Sequence, residues 1–239
     1  MSQTINPINA GVALERRGLR DRVYELVLDT LMSPDIEPGA RLSIDTVARD
    51  LHVSPTPVRE ALVLIERTGL VTREAHKGYR VSPPISDGQL EALFDARLVL
   101  EGGATELAVA NTAAIVPLLE DALTAHREVT DRVKEAASVG DIPVELLREY
   151  FAIDWRFHHL IFEGTHNPFL LDMSEAISTR IHRMRQTVHT GVSDAADAVA
   201  EPTAVLNAVK GGDPDVAAAA MRDHIERVRV RSRSDSHLS

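Results

Sequence analysis

The chain has no cysteine, so disulfides and thiolate metal sites are excluded, which fits a reducing compartment. Aromatic residues are scarce, at 4%, while alanine, leucine and valine are common; that balance suits helix packing better than a β-sandwich. The opening segment, MSQTINPINAG, has no basic patch leading into an apolar run, so no signal peptide is expected. No stretch approaches the ~20 consecutive apolar residues of a membrane span. A cytoplasmic protein with no membrane partner is the expectation. A basic excess is missing too. The formal charge is −10, from 26 Lys+Arg against 36 Asp+Glu, which is unusual for a nucleic-acid partner until its distribution is considered. Residues 1–86 hold 11 of each sign, and residues 87–239 hold 15 basic against 25 acidic. The acidic excess lies wholly in the second part, and this points to a domain boundary near Pro83-Pro84.

What is present is ordinary globular material, 44% hydrophobic and 26% charged, enough in 239 residues for two modest cores. Residues 1–14 lack periodicity and read as a flexible arm. From Glu15 to Met32, Leu19, Val23, Leu26, Val27 and Leu31 recur at mostly three- and four-residue steps, an amphipathic helix. After a Pro38-Gly39 turn, Ser43 can cap a helix over Ile44–Leu51, and Ser54 can cap another that opens with Pro55 and Pro57. In that helix Val58, Ala61, Leu62 and Ile65 form the inward stripe, and Gly69 is placed to end it. Two β-prone runs, Leu70–Arg73 and Tyr79–Ser82, flank a basic tip containing Lys77 and Gly78. Beyond Pro84 the pattern predicts helices near 86–111, 113–138, 144–164, 167–189, 199–211 and 214–231, with a short tail over 232–239.

Three helices followed by a hairpin make a winged helix-turn-helix over residues 15–82, whose recognition helix enters the major groove of double-stranded DNA. Arg59 near the start of that helix has the reach for a bidentate contact to guanine. Thr56 and Ser54 can bond phosphates or base edges, and Arg41, Lys77 and Arg80 are phosphate candidates. The alternative is a small helical bundle whose arginines are merely solvated.

Pro38-Gly39-Ala40-Arg41-Leu42, Val53-Ser54-Pro55-Thr56-Pro57-Val58-Arg59-Glu60-Ala61-Leu62, Gly69-Leu70-Val71 and Gly78 closely resemble the GntR family of regulators over residues ~17–82. The resemblance implies that Thr56 and Arg59 contact the operator and that Gly78 lets the wing approach DNA closely. Many members carry arginine where this chain has Pro55, and some where it has Asp45, so no operator sequence carries over.

In the helical part, Asp154 and His158 stand four apart on one helix face, as two metal ligands would, and His224 on the last helix is a third candidate. A hydrogen-bonded pair fits the same spacing. Arg97-x-x-Leu-Glu101 with Ala104, Asp154-x-x-x-His158, Asn167-Pro168-Phe169-Leu170, Ala208, Gly212-Asp213 and Met221-x-x-His224 resemble the FCD ligand-binding domain of the FadR-like branch. That resemblance implies an antiparallel all-helical bundle over 86–231, a divalent metal held by one Asp and three His, and an effector carboxylate near it. Asp154, His158 and His224 match three of the four ligands. The fourth, expected from a Glu-His pair opening the penultimate helix, reads Glu201-Pro202, and proline offers no donor. Three ligands with water or effector can still hold zinc or nickel; alternatively the metal is lost in this branch and the pocket binds ligand directly, as in some members without metal. Glu201 is expected to point about 100° away from the ligand position. Arg97 matches a cavity arginine that would pair with an effector carboxylate; an intrahelical pair with Glu101 is the alternative.

The expectation is a mainly α protein that regulates transcription, with repression the commoner mode in the family. A homodimer on a palindromic operator follows, because one helix-turn-helix offers too little base contact. The rival readings are a metal-dependent hydrolase built on Asp154, His158 and His224, which lacks a recognisable general base, and a helical module that binds protein.

Overall fold

The computed structural model describes residues 10–31, 36–74, 78–83, 85–140, 142–187 and 197–236, and it divides into two units, Met1–Pro84 and Ile85–Ser239. The first unit runs α1 (Ala10–Leu31), β1 (Arg41–Leu42), α2 (Ile44–Asp50), α3 (Pro55–Thr68), β2 (Val71–Glu74) and β3 (Gly78–Val81). Helix α1 starts inside the segment expected to be an arm; residues 1–9 of that arm lie outside the described residues. Val23, Val27 and Leu31 go into the core at four-residue steps. Leu19 and Leu26, seven apart on another face, stay 40% and 49% exposed, so the inward stripe is narrower than the sequence suggested.

Helix α2 is held at its start by Ser43, whose Oγ accepts the Thr46 N–H at 3.4 Å. The chain then turns through His52 in the left-handed region (φ 54). Helix α3 buries Val58, Ala61, Leu62 and Ile65 completely, with Pro57 beside them. Ser54 occupies its N-cap position in extended backbone but makes no side-chain cap, unlike the expectation, so the proline-led first turn forms without it. Gly69 stops the helix in the left-handed conformation (φ 79), and its N–H donates to the Glu66 carbonyl at 3.0 Å.

The wing is a three-stranded antiparallel sheet in the order β1-β3-β2, where a two-stranded hairpin was expected. The added strand pairs Arg41 with Arg80 and Leu42 with Tyr79. Its entry is tied down by bonds from Gly39 N–H to the Val81 carbonyl and from Val81 N–H to the Ala40 carbonyl, both 2.9 Å. Gly78 opens β3 at φ 92, and a Cβ there would stand 2.8 Å from the Leu42 carbonyl oxygen. The close approach that requires glycine is therefore internal, between β1 and β3.

The second unit contains α4 (Asp87–Ala108), a 3-10 turn (Val109–Asn111), α5 (Thr112–Val139), α6 (Val144–Gly164), α7 (Pro168–Thr187), α8 (Asp197–Gly211) and α9 (Pro214–Ser236). The 3-10 turn ends the first expected helix early, and α9 runs into the expected tail, of which 237–239 lie outside the described residues. A capping box starts α4: Ser86 Oγ accepts the Gln89 N–H and Gln89 Oε1 accepts the Ser86 N–H. One core joins α4, α5, α6, α7, α8 and α9, with Phe94, Leu119, Leu123, Phe157, Ile161, Phe162, Met221 and Ile225 nearly inaccessible. A smaller cluster of Val129, Val133 and Tyr150 joins α5 to α6. Helices α4 and α9 are strapped at the surface by Glu91, which receives both Arg229 and Arg233. By length and composition, a window within Asp87–Val139 is apolar enough to cross a membrane, more than the sequence reading allowed. That range covers α4 and α5, whose buried apolar residues belong to this core.

The Gly78 geometry carries a prediction. Gly78→Ala is expected to destabilise the first unit by about 2–3 kcal/mol, and Gly39→Ala, at φ 83 with open space around its Cβ position, by about 1 kcal/mol. Native-state hydrogen exchange of the amides in this unit reads both values and their order.

Candidate functional site

The outer face of α3 in the first unit is built for contact. Burying Val58, Ala61, Leu62 and Ile65 turns Thr56 and Arg59 outward, and both are exposed, as is Ser54 at the helix start. Among the described residues no hydrogen bond or ion pair engages the Arg59 guanidinium, so its donors are available. Arg41 is exposed on β1. Arg80, unlike Arg59, is held by side-chain and backbone acceptors. Its Nε donates to Glu74 Oε1 at 2.5 Å and its Nη1 to the Gly39 carbonyl at 2.9 Å, so it staples the sheet to the preceding turn. Gly78 is explained by the approach of β1, and Lys77 lies outside the described residues.

The second unit gathers charged groups inside an apolar bundle. On α4 the inward stripe includes Arg97 and Glu101, only 2% and 1% exposed. Arg97 Nε donates to Glu101 Oε1 at 2.5 Å, the intrahelical pair weighed from the spacing. Glu101 also reaches α6, where His158 Nδ1 lies 2.6 Å from its Oε2. His158 stacks between Trp155 on its own helix and His224 on α9, with ring centroids 5.8 Å and 5.3 Å away. His224 Nδ1 lies 3.0 Å from Glu201 Oε2 on α8. Arg231, two turns further along the same face of α9, donates Nη1 to Glu201 Oε1 at 2.6 Å and Nη2 to Oε2 at 2.9 Å. Asp154, also inward on α6, has its Oδ1 3.9 Å from Nε2 of the buried His126 on α5. The structure therefore brings Arg97, His158 and His224 into one network. It adds Glu101, the partner weighed for Arg97, and Glu201 and Arg231, which the sequence reading passed over or assigned elsewhere; Asp154 is paired separately with His126.

Glu201 is the clearest correction. It was expected to point away from the ligand position at Pro202. The inward stripe of α8, however, is wide enough to take Glu201, Pro202, Val205, Leu206 and Val209, so a rotation of about 100° leaves both neighbours facing the bundle. The repeat of Glu201, Val205 and Val209 at four-residue steps was the signal that could have found it.

Burying charges costs several kcal/mol each unless they are paired, so the pairings determine what this interior can do. Arg97 Nη1 is among the buried atoms with no hydrogen-bond partner, and so is His158 Nδ1, which faces Glu101 as an ion-pair contact. Among the described residues no group of three or more His, Asp or Glu side chains is placed to hold a metal ion. Asp154, His158 and His224 thus do not assemble into the site that the resemblance implied. With Nδ1 of His158 and of His224 facing carboxylates, Nε2 is the nitrogen of each ring left to meet a ligand.

The electrostatics follow the pairing. Burial alone would push the Glu101 carboxyl up, but Arg97 and His158 beside it hold it at about 2, against an ordinary 4.5. Burial works against Glu201 as well, and hydrogen bonds from Arg231 and His224 overcome it, again to about 2. Burial moves the His224 imidazole below its usual 6.5, with Glu201 pulling partly back.

A winged helix-turn-helix with an exposed recognition face, joined to a helical bundle with a charged interior, defines the class of ligand-responsive DNA-binding regulators. Comparison with known proteins agrees. Residues 19–81 match the gntR family of bacterial regulatory proteins and residues 92–227 match the FCD domain. The HTH-type transcriptional regulator YdhC of Bacillus subtilis is 24% identical over 81% of this chain and 82% of its own length. The HTH-type transcriptional repressor NanR of Klebsiella aerogenes is 25% identical over 92% of this chain and 88% of its own. In fold, Escherichia coli McbR/YncC superposes with a TM-score of 0.74 at 19% identity, covering 90% of this chain and 97% of that one. The chain belongs to the GntR family of transcriptional regulators, in the branch that carries an FCD domain. It is a DNA-binding regulator with a ligand-binding helical domain, and the hydrolase reading has no support.

All three depressed groups release protons more readily in the folded state than in the unfolded chain. Their stabilisation is complete above their unfolded values and is lost as pH falls through the folded ones. The second unit is expected to lose stability first below about 6.5, through His224, and then between about 4.5 and about 2, through Glu101 and Glu201. Tm measured from neutral pH downward checks this; a Tm that rises on acidification would contradict it.

Proposed function

We propose that the protein is a cytoplasmic, homodimeric repressor whose hold on a palindromic operator is controlled by a small carboxylate bound at Arg97. The observation that carries the effector reading is the Arg97 guanidinium. It is 2% exposed, its Nε is paired to Glu101, and its Nη1 has no hydrogen-bond partner. A buried cationic donor left open is costly, and an oxyanion is the ligand that satisfies it. Nε2 of His158 or His224 offers a neighbouring polar contact, so a planar carboxylate can be oriented as well as neutralised. On the DNA side, Arg59, Thr56 and Ser54 read or position the operator, with Arg41 on the backbone. Effector binding then changes operator affinity by the coupling free energy between the two sites. Repression is supported by likeness to NanR, which is named a repressor.

Dimerisation is supported by large apolar side chains left exposed on two helices that pack on each other. Val99 and Leu107 on α4 are 71% and 53% exposed, and Phe169 and Met173 on α7 are 74% and 50% exposed. Large apolar side chains left exposed on packed helices are the material of an interaction face, and a second copy of the chain is the partner a palindromic operator calls for.

Operator binding separates the two roles. Arg59→Ala is expected to weaken specific binding by about 1–3 kcal/mol with or without effector. Arg97→Met combined with Glu101→Gln, which leaves no buried charge uncompensated, should bind operator normally and ignore the effector. Unchanged affinity in the first variant, or a retained effector response in the second, would remove the corresponding role. For the dimer, Val99→Glu with Phe169→Glu should sediment at half the mass of the parent protein; an unaltered mass would place the interface elsewhere.

A further inference from the structure

We propose that the helical domain works without a metal, because an Arg231–Glu201–His224 bridge holds together the part of its interior where a metal would otherwise join α8 to α9. Three observations point the same way. The position that would supply a fourth ligand is Pro202, which has no donor and is buried against the bundle. Its neighbour Glu201 turns inward and receives both terminal nitrogens of Arg231 while its Oε2 faces His224 Nδ1, so both carboxylate oxygens are occupied. Lastly, among the described residues no set of three donors is placed for an ion.

The exchange is sensible electrostatically. A divalent ion in such a bundle links helices by drawing carboxylate and imidazole groups onto one centre. Here a fixed guanidinium does the linking. Arg231 is bidentate on a carboxylate that is only 8% exposed, the geometry in which an arginine pair is strongest. It also places a permanent positive charge two contacts from His224, where an arriving cation would be repelled. At the other end of the stacked histidines, Arg97 and Glu101 serve His158 in the same way, so each ring has a carboxylate and each carboxylate an arginine. Both bridges are made by side chains of this chain alone.

The inference deepens the effector reading, since a carboxylate would then bind to Arg97 and the imidazoles and not to a metal; its test, however, uses no effector. Freshly purified full-length protein is examined by elemental mass spectrometry, and its melting is followed in chelator and with added zinc or nickel. The expected result is no stoichiometric ion and a Tm that neither chelator nor metal moves. About one zinc or nickel per chain, with a Tm that falls in chelator, would overturn the proposal. The bridge is tested separately. Arg231→Met is expected to lower Tm by about 5–10 °C, and Arg231→Lys to recover part of the loss. An Arg231→Met protein that melts like the parent would show that the bridge carries no load and would equally overturn the assignment. Failure of the carboxylate reading changes neither readout.

Discussion

A helical bundle has no intrinsic use for buried charge, and the cost of removing ions from water is the constraint from which the second unit follows. Arg97, Glu101, His158, His224, Glu201 and Arg231 are tolerated inside only because each finds its complement on the same or an adjacent helix. The complementarity spans four helices, α4, α6, α8 and α9, so the register of each helix is tied to the others by directional contacts as well as by apolar packing. Small residues allow the helices to come close: a Cβ on Gly102 would stand 2.7 Å from Arg222 Nε, and one on Gly164 would stand 2.7 Å from Ile115 Cγ2. A network of this kind has few alternative arrangements, and an open donor within it such as Arg97 Nη1 becomes a specific demand on a ligand.

The first unit solves a different problem. A recognition helix must bury one face firmly enough that the opposite face is rigid, and the four fully buried residues of α3 do this. The wing is stiffened by spending potential DNA-contacting groups on structure: Arg80 is committed to Glu74 and to the Gly39 carbonyl, and Gly78 to the passage of β1. Among the described residues no such commitment holds Arg59. A basic residue near a DNA interface is therefore not equivalent to a contact, and the distinction depends on whether an internal partner already holds it.

Much of this was legible in the chain. The three- and four-residue apolar spacing of α3, the proline-led first turn and the glycine stop specify the recognition helix locally, because each acts over one or two turns. Among the described residues the six helices expected in the second part are present for the same reason. The two-residue strand β1 was not legible: so short a strand has no periodicity of its own and exists only through its pairing with β3. Nor was the exposure of Leu19 and Leu26, since an apolar residue on a helix flank is buried or not according to what packs there.

The functional interior shows the same division. Sequence by itself determined which groups are available, since Arg97, Asp154, His158 and His224 sit at helical spacings on inward faces and Pro202 removes a donor. Only the tertiary structure decided how those groups are used. Glu201 and Arg231 are thirty residues apart, and their meeting depends on the rotation of α8 against α9, a relation that no local pattern encodes. Spacing along a helix dictates which face a side chain leaves from. Whether it meets a metal, a guanidinium or a ligand is set by the helices packed against that face.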